Sequence, residues 1–433
     1  MADENTSTPD PQEAWARYEP DARRPWNLAL AGHLYRRAAF GATWPQLQRA
    51  LTDGPQKTLD SLLRPAADVA AFNRQFDDYE APPGDDRGAS ELRAWWLQRM
   101  IRTPHPLLEK MTLFWHGHCA ASNAKVESAP AMQRYVHLLR RHALGDFRAL
   151  LQGLVHEAAL FASLDAKANR KALPNPGVPR WLLEAHLGTA AAQDVREAAR
   201  ACTGWFIYQD ELRFIEREHD VGSKRILGQE GSFGADDVAR LVLEQPATAA
   251  TIVRKLYRGL LSETAEPDAQ LLAPLVAGFA KNYDVLALVE TMLRSKLFFS
   301  AAAYRQRVKS PVEYALGIIQ GLETSVATQP LGDALAGLGQ NLLHPPTAKG
   351  WSGGRHWLNP ATVAGRLKLA DALLRNGAYI ENSNPAAVAE KHGQAAATFF
   401  AKLYLQDEAP TGSEPDARRA AYAALAQPEF QLA

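Results

Sequence analysis

The stretch PAMQRYVHLLRRHALGDFRALLQGLVHEAALFAS, Pro130–Ser163, decides the fold class. Phe147, Leu150, Leu151, Leu154, Val155 and Ala158 fall on one stripe at a 3.6-residue period, which is the pattern of a helix with one buried face. Gly145 is suited to end a first helix and Asp146 to cap a second. The same punctuation runs outward in both directions. Upstream, Leu28, Leu30 and Leu34, then Leu47, Leu51, Leu59 and Leu62, keep helical spacing, broken at Gly41 and restarted by Thr43 as an N-cap. Helices are expected over 91–101 and from Thr103-Pro104 through Phe114, with the threonine as cap and the proline in the first turn. Downstream, helical patterns cover 180–187, 190–201, 235–245, 249–261, 268–281, 286–294, 312–323, 361–375, 385–404 and 415–426. Only Trp205–Phe214 alternates like a strand pair, around a polar bend at Gln209-Asp210-Glu211. The expectation is a mainly α protein: a single large α-helical domain over 27–426, with at most one small β-hairpin and long ordered loops. A flexible arm (1–26) precedes it and a C-terminal tail (427–433) follows.

Composition bounds the function. The chain has 433 residues with 48 basic and 48 acidic side chains. That balance excludes a globally basic nucleic-acid binder. With no run of 18 apolar residues, no membrane span is expected. The polar, acidic first 26 residues lack the basic start and apolar stretch of a secretory signal, so the sequence as it stands reads as cytoplasmic. The two cysteines, Cys119 and Cys202, allow at most one bridge and exclude a cysteine-only zinc site.

Four segments carry side chains suited to chemistry. In FWHGH, His116 and His118 could chelate a divalent metal at a helix end, where both rings can point one way. On a continuous helix they sit about 200° apart and cannot. In HDVGSK, His219, Asp220 and Lys224 surround a tight turn. A histidine oriented by a carboxylate is an acid–base arrangement, although an Asx turn with Gly222 at positive φ accounts for the same residues. In PRWLLEAHLG, Arg180 and Glu184 are spaced to pair along one helix face, and His186 sits where the helix dipole favours a protonated ring. The fourth, LHPPTAKGWSGGRHWLNP (Leu343–Pro360), is irregular. Trp351 and Trp357 are too large to leave in water, so the loop is expected to be ordered and packed on the body. Phosphate-loop, nucleophile-elbow and dinucleotide fingerprints do not occur.

Taken together, four blocks resemble one family, the bacterial domain of unknown function 1800. They are HLYRRAAFG (His33–Gly41), MTLFWHGHCAASNAKV (Met111–Val126), DVREAARACTGW with HDVGSKRILG, and GQNLLHPPTAKGWSGGRHWLN (Gly339–Asn359). The resemblance implies little about activity. Many members look exported, and they commonly accompany a sulfatase- or phosphatase-like protein, which the resemblance offers as a partner. The chain departs from the family pattern where two glutamates are usual: here stand Asn175-Pro176-Gly177 and Arg180-Trp181. If those carboxylates are catalytic or metal ligands, this chain has lost them.

Two functions follow as expectations. The first is an enzyme or ligand-binding protein with a His/Asp/Lys/Arg pocket performing hydrolysis or transfer, with or without a metal, on an anionic or carbohydrate substrate. His219 would be its acid–base group, Asp220 the orienter, Lys224 or Arg180 the anion holder, with Glu184 beside them and His116 and His118 as metal ligands. The alternative is a non-catalytic protein that docks a partner through the Trp/Gly loop. The first requires His116 or His118 to lie near the His219-Asp220 turn, with Arg180 or Glu184 close by.

Overall fold

Side chains set the helix ends. Thr43 and Gln46 form a reciprocal capping box, with bonds of 3.3 and 2.8 Å, and Ser310 and Glu313 form another at the start of Pro311–Leu322. Each satisfies amide groups that the first helical turn leaves without partners. Asp146 accepts from the Arg148 amide at 2.8 Å and so opens Phe147–Leu154 as expected. Other boundaries differ from the sequence reading. The Phe147 helix stops at Leu154 and a short one, Ala158–Ser163, follows. The helix expected from Thr103 starts instead at Pro106, because Thr103 folds back to accept the His105 amide.

The computed structural model describes residues 10–66, 68–83, 86–264, 266–407 and 416–433. Among them are 22 α-helices and two two-stranded antiparallel sheets. The fold is mainly α, built on one continuous apolar core running from Ala14 to Phe430. Strands β1 (Trp205–Tyr208) and β2 (Glu211–Phe214) form the expected hairpin, with Gln209 and Asp210 both at positive φ. Two such residues make the turn whose twist matches the strands. A second hairpin joins β3 (Lys224–Ile226) to β4 (Gln229–Gly231) through Leu227-Gly228, also both at positive φ. Strands of three residues are too short to show an alternating pattern. No helix among the described residues is long and apolar enough to cross a membrane.

The chain ends are corrections. From residue 10 onward the expected arm is docked: Trp15 donates to the Leu271 carbonyl at 2.6 Å, and the buried Tyr18 donates its amide to Arg294 at 2.8 Å. An apolar Trp and Tyr within a polar segment supply that anchorage. Residues 1–9 of the arm lie outside the described residues. The tail is docked too, with Phe430 buried and the Ala433 amide on the Arg307 carbonyl at 2.8 Å.

Buried charge fastens three helices. Glu109, 1% exposed on Pro106–His118, accepts from Arg99 (2.8 Å) on Asp86–Arg102, from Arg140 (2.7 and 3.2 Å) on Ala129–His142, and from the Trp96 indole at 3.1 Å. A buried carboxylate is tolerated only when paired in this way.

Candidate functional site

Pro106–His118 is one continuous helix through Gly117, so His116 and His118 face different surroundings. The His116 Nε2 accepts the Leu343 amide at 3.2 Å, and its ring meets Trp96 and Trp351 edge-on, each at 5.4 Å. The His118 Nδ1 is hydrogen-bonded to the Lys255 Nζ at 2.7 Å, and its ring meets His186 at 5.3 Å. The bonded nitrogens are held by partners on different elements, and the His116 Nδ1 and His118 Nε2 left without partners belong to rings in different surroundings. Among the described residues no three His, Cys, Asp or Glu side chains gather as a metal site. The expected His116–His118 metal pair does not fit this geometry. Burial holds both rings neutral: the pKa of His116 falls to about 3, and that of His118 goes well below the usual value, further lowered by the Lys255 charge. Cys119 is buried and free, with its thiol pushed up to about 12 by desolvation.

The Leu343–Pro360 loop is seated directly on this helix. A Cβ on Gly350 would lie 2.0 Å from the Gly117 carbonyl oxygen, and Gly350 has φ +77°. Only glycine at position 350 allows that approach, whereas a Cβ on Gly117 would meet nothing within 4 Å. Leu343 itself takes φ +68°, held by its amide on His116 and its carbonyl on the Asn123 amide at 2.8 Å. Trp357 is 8% exposed, while Trp351 is half-buried.

Between this loop, the C-terminal half of Pro106–His118, the helix Pro246–Leu260 and the segment 305–310 lies a cleft of about 1020 Å³. Seven cationic side chains line it (Lys110, Lys255, Arg258, Arg305, Arg307, Lys349 and Arg355) against two carboxylates, Glu263 and Glu313. Both carboxylates are committed. Glu313 pairs with Lys110 at 2.6 Å and Arg307 at 3.1 Å, and Glu263 accepts the Val308 amide at 2.6 Å. Arg258 pairs outside with Glu266 at 2.9 Å. Lys255, Lys349 and Arg355 have no carboxylate partner among the described residues. Desolvation lowers the pKa of Lys255, and the facing Lys349 charge lowers it further. The His33–Gly41 block supports the walls from behind. Arg37 donates to the Leu261 and Ala303 carbonyls, each at 2.8 Å, and Lys110 to those of Arg36 and Ala39 at 3.1 and 2.8 Å.

The HDVGSK turn lies elsewhere. Asp220 is gripped by Arg200 at 2.7 and 3.2 Å and accepts the Gly222 amide at 2.9 Å, which is the Asx turn. Gly222 does not take positive φ; it is small because a Cβ would meet Arg200 and Asp220 at 3.1 Å. Lys224 is buried, and donates to the Gly222 carbonyl at 3.0 Å and to that of Asp220. His219 bonds the Thr203 carbonyl at 2.9 Å rather than Asp220. Arg180 and Glu184 pair loosely at 3.8 Å on the outer face of Gly177–Leu187. None of these five residues lines the cleft. The expected convergence of the histidine pair with the His219-Asp220 turn does not form. What reaches His118 instead is His186, buried on the opposite face of the Arg180–Glu184 helix. Its pKa falls to about 4, so burial outweighs the helix dipole there. Lys255, Lys349 and Arg307 were missed by the sequence reading. Lys255 sits within an ordinary amphipathic helix, and its partner His118 is 137 residues away, so no local pattern marks it.

A family model described as "Protein of unknown function (DUF1800)" matches residues 33–432. No curated protein and no solved structure matches the chain.

Proposed function

The chain belongs to the DUF1800 family of proteins of unknown function, and from its cleft we propose that it binds an anionic carbohydrate, a sugar bearing a phosphate or carboxylate. The observation that carries this reading is the uncompensated positive charge: Lys255, Lys349 and Arg355 line a cavity of about 1020 Å³ in which the two carboxylates among the described residues, Glu263 and Glu313, are already paired or bonded. An anion within ~4 Å of such a group gains about 1–4 kcal/mol, depending on how far water is excluded. The carbohydrate part rests on Trp351, half-buried in the lining beside Phe114 and Gly353. An indole face with polar neighbours suits a sugar ring, which has one apolar side and a hydroxylated rim. Lys255, with its lowered pKa and its bond to His118, is the group placed to exchange a proton with the ligand. Docking of a partner protein through the Trp/Gly loop is less favoured, because Trp357 is buried and Trp351 is already spent partly on His116.

Thermal-shift titration tests this. Millimolar glucose 6-phosphate and glucuronate should each raise Tm, and glucose should not. Lys255→Met should abolish the shift. Equal responses to glucose and the two acids, or no response to any, would overturn the reading.

A further inference from the structure

A second cavity lies away from the cleft, and its charge is equally unbalanced. It has a volume of about 30 Å³ and is walled by Arg36, Lys309, Gln406 and the apolar residues Phe40, Leu47 and Phe430, with no acidic side chain among its lining. Arg36 is 92% buried by its 8% exposure. Its Nη1 donates to the Gln406 amide oxygen and its guanidinium lies 5.5 Å from the centre of the Tyr304 ring, while Nε and Nη2 reach no carboxylate. Lys309 is 4% exposed and its ammonium sits 3.5 Å from the centre of the Phe430 ring. Burying a cation without a carboxylate partner is costly, and lining one cavity with two is more so, because repulsion adds to desolvation. A lysine can escape by losing its proton. A guanidinium cannot, so Arg36 retains its charge.

We propose that this cavity holds a monatomic anion, chloride in the first instance, bridging Arg36 and Lys309. Size selects it. A cavity needs roughly 10–15 Å³ of this kind of volume per water, so 30 Å³ admits one halide and excludes phosphate or sulfate, whose five heavy atoms need several times more. The apolar walls fit as well: chloride is weakly hydrated and tolerates contact with Phe40, Leu47 and Phe430 better than a multiply charged oxyanion would. The site ties the helix Leu28–Ala38 to the strand-like entry at Lys309 and to Gln406. Binding there should therefore stabilise the fold without involving the cleft.

The test is thermal unfolding of the protein dialysed free of halide into sodium methanesulfonate, then titrated with sodium chloride or bromide at constant ionic strength. Both halides should raise Tm saturably, since a ligand bound only by the folded state stabilises in proportion to the logarithm of its occupancy term. Lys309→Met should remove the saturable part, and Lys255→Met in the cleft should keep it. If Lys309→Met fails to fold, crystals of the unaltered protein grown in bromide decide: an anomalous peak between Arg36 and Lys309 is expected. A Tm indifferent to halide, or bromide-grown crystals without that peak, would overturn the proposal.

Discussion

Gly350 sits so close to Gly117 that a single methyl group would land 2.0 Å from a carbonyl oxygen, in a backbone conformation at φ +77°. Gly350→Ala therefore meets both a left-handed penalty of about 1–2 kcal/mol and an overpacking cost of about 1–3 kcal/mol. Denaturant unfolding should show a loss of about 2–5 kcal/mol. Gly228→Ala is the control, because Gly228 has φ +83° in the β3–β4 turn but nothing within 4 Å of its would-be Cβ; it should lose only the first part. Equal losses in the two variants would contradict the seating of the loop on the helix. The sequence showed that both segments were unusual, since glycine between two histidines and a Trp/Gly run are visible locally. That Gly117 and Gly350 meet is a tertiary fact with no local signal. The same holds for Lys255 and His118, and it explains why the candidate site was placed at His219 and Asp220, whose unusual residues are contiguous and prove to be a self-contained turn.

At the scale of elements, Glu109 and the two tryptophans of the loop define what is structural and what is free for function. Glu109 ties three helices through Arg99, Arg140 and Trp96. Glu109→Ala leaves Arg140 without a carboxylate and Arg99 with only Asp77 at 3.1 Å and Asn73, and should cost about 3–5 kcal/mol. A loss below ~1 kcal/mol in denaturant unfolding would mean that water already reaches the cluster. In the loop, the two tryptophans should separate. Trp357, 8% exposed, should cost about 3–5 kcal/mol when cut to alanine. Trp351 is half-buried, so Trp351→Ala should cost clearly less in calorimetric unfolding while weakening ligand binding more. The reverse order would contradict the assignment of Trp351 to the cleft. Helix positions were largely legible from period and caps, because those signals are local. Boundaries slipped where a side chain chose a turn over a cap, as Thr103 did, and the strands β3 and β4 were too short to register.

For the whole molecule, buried neutral histidines set the response to acid. Burial lowers the pKa of His116 to about 3 and of His137 and His186 to about 4, and puts His33 and His118 well below the usual value. In the unfolded chain each titrates near 6.5. Above that pH neither state binds the proton and stability is unaffected. Below it the unfolded state binds more protons than the folded state, so each histidine removes about 1.4 kcal/mol per pH unit until its folded value is reached. Tm should be level from neutral pH down to about 6.5 and fall steeply toward 4. A flat profile through that window would mean the rings are not held neutral. The central claim is the anion-binding cleft, and calorimetric titration of glucose 6-phosphate into the unaltered protein and into the Lys255→Met, Lys349→Met double variant addresses it most directly. Saturable, one-to-one binding that weakens with salt is expected, with about a tenfold or greater loss of affinity in the variant, equivalent to ~1.4 kcal/mol. Binding unchanged by removal of both lysines, or no binding to the unaltered protein, would contradict it.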